Sequence, residues 1–180
     1  MRVRVVTPLL LVAVLAVGCG AEEETPRALP SVSVTTAPSP TAAPVPTEAQ
    51  AETPQGAAAF ARFWFDTLNN AAATGETDAL RALAHPDCQA CANFAESIDS
   101  LYTDGGGIRG GVFSVVAAES PGDDDAASAV VTVVYDVTTT QQLAKDGTVA
   151  RELAGRTFIN GQMTLLRLED RWVLRELVTV

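Results

Sequence analysis

Positive charge is scarce in this chain of 180 residues, which carries 12 lysine and arginine residues against 22 aspartate and glutamate residues. The formal net charge of -10 argues against a nucleic-acid-binding surface, which needs a basic stripe, and against electrostatic attraction to anionic lipid. Histidine is scarcer still, because His85 is the only one in the chain. Acid–base schemes that rely on imidazole are therefore severely limited, and His85 is expected on a turn or in helix packing.

Long apolar runs are also few. The one long run extends from Val5 to Val17, and at about 13 residues it is too short for a transmembrane helix. Because Arg2 and Arg4 precede this run, residues 1–18 are predicted to be a secretory signal peptide.

The run ends in Leu15-Ala16-Val17-Gly18-Cys19, which resembles the lipobox of bacterial lipoproteins, with Ala16 where leucine is commonest. In that family the cysteine is acylated and becomes the mature amino terminus, so the resemblance implies this role for Cys19. It also implies an extracytoplasmic protein that is lipid-anchored to the cell membrane. Acyl chains give a durable anchor at about 0.8 kcal/mol per buried methylene and need no basic patch. A plain secretory signal with an incidental Cys19 is the alternative.

Residues 19–56 have a different composition, rich in proline, threonine, serine and alanine. Proline removes backbone donors and favours extended, solvated conformations, so no core is expected here. Residues 19–56 are therefore predicted to be a disordered tether, and the folded domain is assigned to residues 57–180.

A long first helix is predicted at the start of the domain. Thr53-Pro54 is a favourable start, since threonine caps helices and proline suits the first helical position, and Gly75 is a left-handed end. The apolar positions repeat at helical spacing and comprise Phe60, Phe63, Trp64, Thr67, Leu68 and Ala71.

Two shorter helices are predicted next. One is expected to open at Thr77-Asp78, to bury Leu80 and Leu83, and to end before Pro86. The other is expected to be capped by Asp87 and to end at Asp104 and three glycines. Its buried positions are Cys91, Phe94, Ala95, Ile98, Leu101 and Tyr102.

After Gly107 the hydrophobic period changes from 3.6 to 2, which indicates strands. Asn160-Gly161 is either a turn or a bulge, and we favour the bulge because the surrounding strand is long enough to bend. The aspartates of the turn Ser120–Asp125 are expected to be solvated, since a calcium loop needs further spaced ligands. The predicted strands are Val112–Glu119, Ser128–Thr140, two short strands near Leu143 and Val149 around an Asp146-Gly147 turn, Thr157–Leu168 and Trp172–Val180.

Helices followed by antiparallel strands predict an α+β domain, in which about three helices pack on a curved sheet of four to six strands. The order of parts and the closing segment Leu168–Leu174 resemble the nuclear-transport-factor-like cone, the fold of polyketide-cyclase-like, ketosteroid-isomerase-like and cystatin-like proteins. The whole mature chain also resembles a family of actinobacterial lipoproteins of unknown function, a likeness that implies no activity. The motifs that carry it, besides lipobox and tether, are Phe63-Trp64-Phe65-Asp66-x-Leu68-Asn69, Thr74-Gly75-Glu76 and Pro86-x-Cys88-x-x-Cys91.

Cys88 and Cys91 are one helical turn apart, which places their Cα atoms roughly 5 Å from each other, within the range of a disulfide. In an extracytoplasmic compartment they are predicted to form a structural disulfide. A thiol–disulfide oxidoreductase is one alternative, although that redox motif usually follows a strand and this pair follows a helix. Zinc ligation together with His85 and Asp87 is another alternative, disfavoured by the crowded spacing and the oxidising compartment.

No triad of nucleophile, histidine and carboxylate is evident, so we expect a non-enzymatic module with no cofactor or metal. Its expected partners are the membrane, through the lipid anchor, and a protein, a wall polymer or a small hydrophobic ligand. A small-molecule isomerase or cyclase is the alternative and needs a buried carboxylate opposite a donor, but Tyr135 and Asp136 are adjacent on a strand and face opposite sides. The residues that could line a pocket between sheet and helices are Phe63, Trp64, Tyr102, Phe113, Tyr135 and Trp172.

Substitution of Cys19 by alanine is expected to remove the lipid anchor and to release or mislocalise the protein, because the acylated thiol is lost. Metabolic labelling with a fatty acid, followed by fractionation, measures both effects. Retention of the lipid label in C19A would contradict the assignment of Cys19 as the lipidated residue.

Overall fold

The structure is a computed structural model that describes residues 43–122 and 127–179. The predicted signal peptide, Cys19, the first part of the predicted tether and the aspartates at 123–125 lie outside the described residues. Within the described residues there are three α-helices, preceded by a short 3₁₀ helix at Thr47–Gln50. They are α1 (Pro54–Thr74), α2 (Asp78–Ala82) and α3 (Gln89–Thr103).

Seven strands follow the helices in the described part of the chain, and all of their pairings are antiparallel. They form a three-stranded sheet of order β1-β4-β5 and a four-stranded sheet of order β2-β3-β6-β7. The predicted α+β cone is therefore confirmed. The strands are β1 (Gly107–Gly110), β2 (Phe113–Glu119), β3 (Ser128–Val137), β4 (Thr140–Leu143), β5 (Val149–Leu153), β6 (Arg156–Leu168) and β7 (Arg171–Thr179).

Helix α1 has the predicted bounds. The Thr53 hydroxyl accepts a hydrogen bond from the Gly56 amide at 3.0 Å, and Pro54 is the first helical residue. Gly75 ends the helix in the left-handed region at φ 80°, where a Cβ atom would also lie 2.5 Å from the ring of Tyr102. Only glycine satisfies both conditions at this helix end.

Helix α2 opens at Thr77-Asp78 as predicted, but the side chain of Thr77 does not bond to the helix amides. Its hydroxyl donates instead to Asp99 on α3 at 2.6 Å, and Arg81 donates to the other oxygen of the same carboxylate at 2.6 Å. The hydrogen bonds from Thr77 and Arg81 hold the pKa of Asp99 below its usual range. Thr77 therefore joins α2 to α3.

Asp87, the predicted cap of α3, does not occupy the cap position. Cys88 occupies the cap position, and its Sγ accepts a hydrogen bond from the Cys91 amide at 3.3 Å. The carboxylate of Asp87 lies 3.5 Å from Arg175 and 3.7 Å from the His85 ring instead. Arg175 lies on β7, 88 residues later in the chain, so local sequence does not reveal this partner of Asp87.

Two strand predictions also need correction. The segment predicted as one strand to Thr140 ends at Val137, and a separate strand, β4, begins at Thr140 and pairs with β1. Strand β1 was not predicted because glycine occupies both of its ends and weakens the strand pattern. The Asp146-Gly147 hairpin joins β4 to β5 as expected, and the register shift opposite Val133 and Tyr135 confirms that Asn160-Gly161 lies in a bulged, continuous strand β6.

Side chains of α1 cover one edge of the larger sheet. The side-chain amide of Asn69 pairs with the backbone of Phe113 as a neighbouring strand would. Its oxygen accepts from the Phe113 N–H at 2.9 Å, and its nitrogen donates to the Phe113 carbonyl at 2.8 Å. Arg62 donates to the carbonyl of Val115 at 3.1 Å. The opposite edge, at Leu174, bonds to the backbone that follows α2. These bonds fix the helices to the sheet and protect its edges.

Residues 43–56 pack on the domain, although the sequence assigns them to the tether. Ala49 in the 3₁₀ helix is fully buried, and Arg167 donates a hydrogen bond to the carbonyl of Gln50, 117 residues earlier in the chain. The predicted domain start at residue 57 is thus too late. Proline-rich and alanine-rich composition carries no signal for contacts with residues so distant in sequence. Among the described residues, no helix has the length and hydrophobicity needed to cross a membrane.

Cys88 and Cys91 form the disulfide that their spacing predicts, with Cα atoms 5.3 Å apart. Both are buried beneath β7, and the Sγ atom of Cys91 lies 3.9 Å from the carbonyl oxygen of Leu174. The bond therefore closes the first turn of α3, which packs beneath β7.

Replacement of Cys88 and Cys91 together by alanine is expected to lower the free energy of unfolding by about 2 kcal/mol, the entropic value for a short closed loop. Denaturant unfolding followed by circular dichroism measures this change. Treatment of the wild type with reductant serves as a control and should reproduce the loss. Identical unfolding midpoints for all three samples would contradict a stabilising role.

Candidate functional site

The interior of the cone is filled by aromatic side chains. Trp64 and Phe65 on α1 are both fully buried, and the ring of Phe65 lies 4.8 Å from Tyr135 and 5.8 Å from Phe113. The ring of Tyr135 stacks on Phe158 of the neighbouring strand at 4.7 Å. Close packing of this kind leaves little room for a ligand between sheet and helices.

The ionisable groups of the interior do not form a catalytic pair. Burial raises the pKa of Tyr135 above its usual range. Asp136 follows Tyr135 on β3 and faces the other side of the sheet, where its carboxylate accepts a hydrogen bond from Thr157. The phenol of Tyr135 is therefore surrounded by aromatic rings, without the carboxylate that isomerase-type proton transfer requires.

A groove with a volume of about 580 Å³ lies outside this packed interior. It follows α1 from Phe60 to Asn70, which is roughly 15 Å at the helical rise. Helix α2, the segment before α1 and the hairpin between β6 and β7 form its other walls. Its lining residues are Ala43, Pro44, Val45, Ala49, Gln50, Phe60, Phe63, Asp66, Thr67, Asn70, Ala79, Ala82, Leu83, Asp170, Arg171 and Trp172.

The floor of the groove is apolar. Phe60, Leu83 and Trp172 form its deepest parts and are each at least nine-tenths buried, whereas Phe63 remains partly exposed. Ala82 on α2 contributes a small side chain that keeps the groove wide. Apolar floors with a few polar groups at the rim are the common form of small-molecule sites.

Polar side chains of both signs stand at the rim. Asp66 on α1 is exposed, and Asp170 and Arg171 come from the hairpin between β6 and β7. This turn has positive φ values at Glu169 and Asp170, 50° and 61°, as two-residue hairpin turns require. The rim thus carries two carboxylates against one guanidinium.

Arg167 and Trp172 connect the hairpin between β6 and β7 to the segment before α1. They are opposite each other on β6 and β7, and the guanidinium carbon of Arg167 lies 5.1 Å from the Trp172 ring centroid. Arg167 donates to the Glu52 carboxylate at 2.7 Å and to the Asp170 carbonyl at 2.6 Å. Trp172 donates from Nε1 to the Ala51 carbonyl at 2.9 Å.

Only Phe63 and Trp172, of the six residues named as possible pocket lining, lie in the groove. Trp64 and Tyr135 are buried in the interior, and Phe113 packs on Tyr135 and Phe65. Tyr102 donates its hydroxyl to the Ala72 carbonyl at 2.7 Å. The six residues therefore mark the helix–sheet interface as a whole and not one cavity.

Sequence reasoning missed most of the groove. Residues 43–50 fall within the predicted tether, and Asp170 and Arg171 fall between the predicted strands Thr157–Leu168 and Trp172–Val180. The available signals were Phe63, on the apolar stripe of α1, and Trp172, a large aromatic residue directly after a tight turn. The residues weighed as zinc ligands lie elsewhere, beside the disulfide, with His85 Nδ1 3.7 Å from Asp87 Oδ2. The described residues contain no group of three or more His, Cys, Asp or Glu residues suited to a metal ion.

The helices and sheets thus define a cone-like α+β protein with a packed interior and a groove at its side. The chain belongs to DUF6318, a family of unknown function whose sequence profile matches residues 35–177. No curated protein matches the chain.

Solved structures are similar to this chain in fold alone. An uncharacterised Caulobacter vibrioides protein with a cystatin-like fold is 13% identical, with a TM-score of 0.45, and the match covers 69% of this chain and 89% of that one. The intermembrane space region of the chloroplast protein ARC6 is 9% identical, with a TM-score of 0.45 over 68% of this chain and 95% of that one. A candidate polyketide cyclase from Pseudomonas putida is 14% identical, with a TM-score of 0.35 over 67% and 90%. No function follows from likenesses this distant.

Substitution of Tyr135 by phenylalanine is expected to weaken the pH dependence of stability in alkali. Because the pKa of Tyr135 is raised in the folded state, the unfolded chain loses the phenol proton at a lower pH than the folded chain does. The contribution of Tyr135 to the free energy of unfolding is therefore complete below about pH 10 and falls as the pH rises further. Denaturant unfolding between pH 8 and pH 11 measures the effect, in steps of about half a unit. Parallel curves for wild type and Y135F across this range would contradict the burial of the phenol.

Proposed function

We propose that this protein is a non-enzymatic binding module, lipid-anchored through Cys19 at the outer face of the cell membrane, which holds a small amphiphilic ligand in the lateral groove. The observation that carries the proposal is the contrast between the packed interior of the cone and the open groove of about 580 Å³ beside α1. Small-molecule sites commonly measure roughly 300 to 1,000 Å³, so the groove has room for a compact ligand.

The packed interior supports a binding role over isomerase or cyclase chemistry. An enzyme of that type needs an ionisable base facing an opposing donor in a cavity. Here Tyr135 is covered by Phe65, Phe113 and Phe158, and Asp136 points away. The groove offers Asp66 and Asp170 only as exposed rim carboxylates, which suit recognition better than proton transfer.

The chemistry of the lining indicates the class of ligand. An apolar ring system or short chain would lie against Phe60, Phe63 and Leu83, at about 25 cal/mol per Å² of apolar surface removed from water. The excess of carboxylates at the rim, in a chain of formal net charge -10, favours a ligand whose polar end is cationic. Asn70 and Thr67 stand along the same side of the groove and offer hydrogen-bonding atoms.

Substitution of Ala82 by tryptophan is expected to fill the groove and to weaken binding of the apolar dye N-phenyl-1-naphthylamine by at least about tenfold, or about 1.4 kcal/mol. Ala73 is a matched control, because it is an exposed helical alanine that does not line the groove. Fluorescence titration of wild type, A82W and A73W measures the three affinities. Equal affinities for A82W and A73W would place the dye elsewhere and overturn the groove as the site.

The polarity of the ligand is tested by competition. We expect 1-naphthylmethylammonium to displace the dye up to about fivefold better than the neutral 1-naphthylmethanol, the range of an exposed ion pair. Asp66→Asn should reduce this preference, whereas Glu96→Gln, at an exposed position of α3 outside the groove, should leave it unchanged. A preference for the alcohol in the wild type would contradict a cationic ligand.

A further inference from the structure

We propose that residues 43–52 are a detachable wall of the groove, that Arg167 is the positioning residue that keeps this wall in place, and that ligand binding and attachment of the wall are coupled. Residues 43–52 are called the strap below. The inference rests on the proposed function, because it takes the groove as the ligand site and concerns how that site is assembled.

The strap is part of the groove itself. Ala43, Pro44, Val45, Ala49 and Gln50 all contribute to the lining. The strap has little internal structure, since its one element is the four-residue 3₁₀ helix and Gln50 donates its side-chain amide to the Val45 carbonyl at 2.7 Å. So short an element does not persist in isolation, and its position depends on the contacts it makes with the domain.

The polar contacts that hold the strap come from one hairpin. Arg167 donates from Nη1 to the Gln50 carbonyl at 2.9 Å and from Nη2 to the Glu52 carboxylate at 2.7 Å. Trp172, opposite Arg167, donates to the Ala51 carbonyl at 2.9 Å. The same hairpin contributes Asp170, Arg171 and Trp172 to the lining of the groove. Attachment of the strap therefore brings two walls of the groove together.

The hydrogen bonding of Arg167 fits a role in holding the strap better than a role in stabilising the core. Its side chain is 10% exposed, and its buried Nε atom has no hydrogen-bond partner among the described residues. A buried guanidinium with an unpaired donor is a poor stabilising choice, since an apolar side chain of similar length often serves the fold as well. Its terminal nitrogens, however, reach the strap at two points and the hairpin carbonyl of Asp170 at a third.

Coupling follows because a ligand in the groove touches both the strap and the rest of the domain. Such a ligand binds the attached state more tightly than the detached state, and it must favour attachment by the same factor. Arg167 acts through the strap and makes no contact with the ligand in this scheme. Its removal should thus weaken ligand binding and expose the strap together.

The test is hydrogen exchange by mass spectrometry on the full mature chain, with and without N-phenyl-1-naphthylamine. Arg167→Met is compared with Arg175→Met, an arginine on β7 that pairs with Asp87 and does not touch the strap. We expect peptides covering residues 45–52 to exchange at least about tenfold faster in R167M and at the wild-type rate in R175M, as the loss of bonds to a charged group predicts. The dye should slow exchange of these peptides in the wild type and bind R167M several-fold more weakly.

A second pair of variants covers the case in which R167M does not fold. Glu52→Ala removes the carboxylate that Arg167 contacts, and Trp172→Phe removes the donor to the Ala51 carbonyl; both keep Arg167, and each should give a smaller increase in strap exchange than R167M. The loss of affinity is read from Glu52→Ala, where it should also be smaller than in R167M, because Trp172 itself lines the groove. Arg167→Lys should restore part of both properties, since one charged donor remains but the two-pronged geometry is lost.

The two proposals fail in different ways. Strap exchange in R167M equal to that in R175M, with dye binding to the wild type intact, would overturn this inference alone. Dye that binds the wild type without slowing strap exchange would also overturn the coupling and leave the groove as the site. Absence of dye binding to the wild type would overturn the proposed function and the coupling with it.

Discussion

The aromatic packing between α1 and the inner face of the larger sheet is the contact on which the rest of the structure depends. Trp64 and Phe65 are adjacent on α1 and both fully buried, which requires the helix to face two groups of partners at once. Trp64 packs on Phe94 of α3 with ring centroids 6.0 Å apart, and Phe65 packs on Tyr135 of β3. One helix thus joins the helical layer to the sheet and occupies the interior of the cone.

The same helix explains why the concave site lies at the side of the molecule. The buried arc of α1 is wide, and it continues past the interior to Phe60 and the partly exposed Phe63. This second part of the arc needs its own cover, which the segment before α1, helix α2 and the hairpin after β6 supply only in part. The groove is the space that these three elements leave open over α1. The apolar surface of α1 is larger than the sheet covers. One part of it fills the interior of the cone, and the other part forms the floor of the groove.

The sequence predicted those features whose signals are local. Thr53-Pro54 and Gly75 bound α1 correctly because caps act within one turn, and the Cys88–Cys91 pairing follows from the spacing of a single turn. Alternation predicted β3, although not its end, and the length of the strand around Asn160-Gly161 predicted the bulge in β6. The prediction for Asp87 failed, because it faces Arg175 on β7 and Cys88 takes the cap position of α3. Thr77 opens α2 as predicted, but its hydroxyl bonds to the distant Asp99 and not to the helix amides. The groove depends on such distant partners throughout, which is why only Trp172 and Phe63 were found in advance.

The strap has a further consequence for the order in which the chain folds. The contacts from Arg167 to Glu52 and from Trp172 to Ala51 span 115 and 121 residues, nearly the whole domain. The entropy of closing so long a loop must be met before these contacts form, and contacts of this kind slow folding. The amino-terminal wall of the groove emerges first during synthesis, yet it has nothing to attach to until the last hairpin exists. Completion of β6 and β7 is thus the step that completes the larger sheet and the groove together, because β6 pairs with β3 and the hairpin supplies Asp170, Arg171 and Trp172 to the lining.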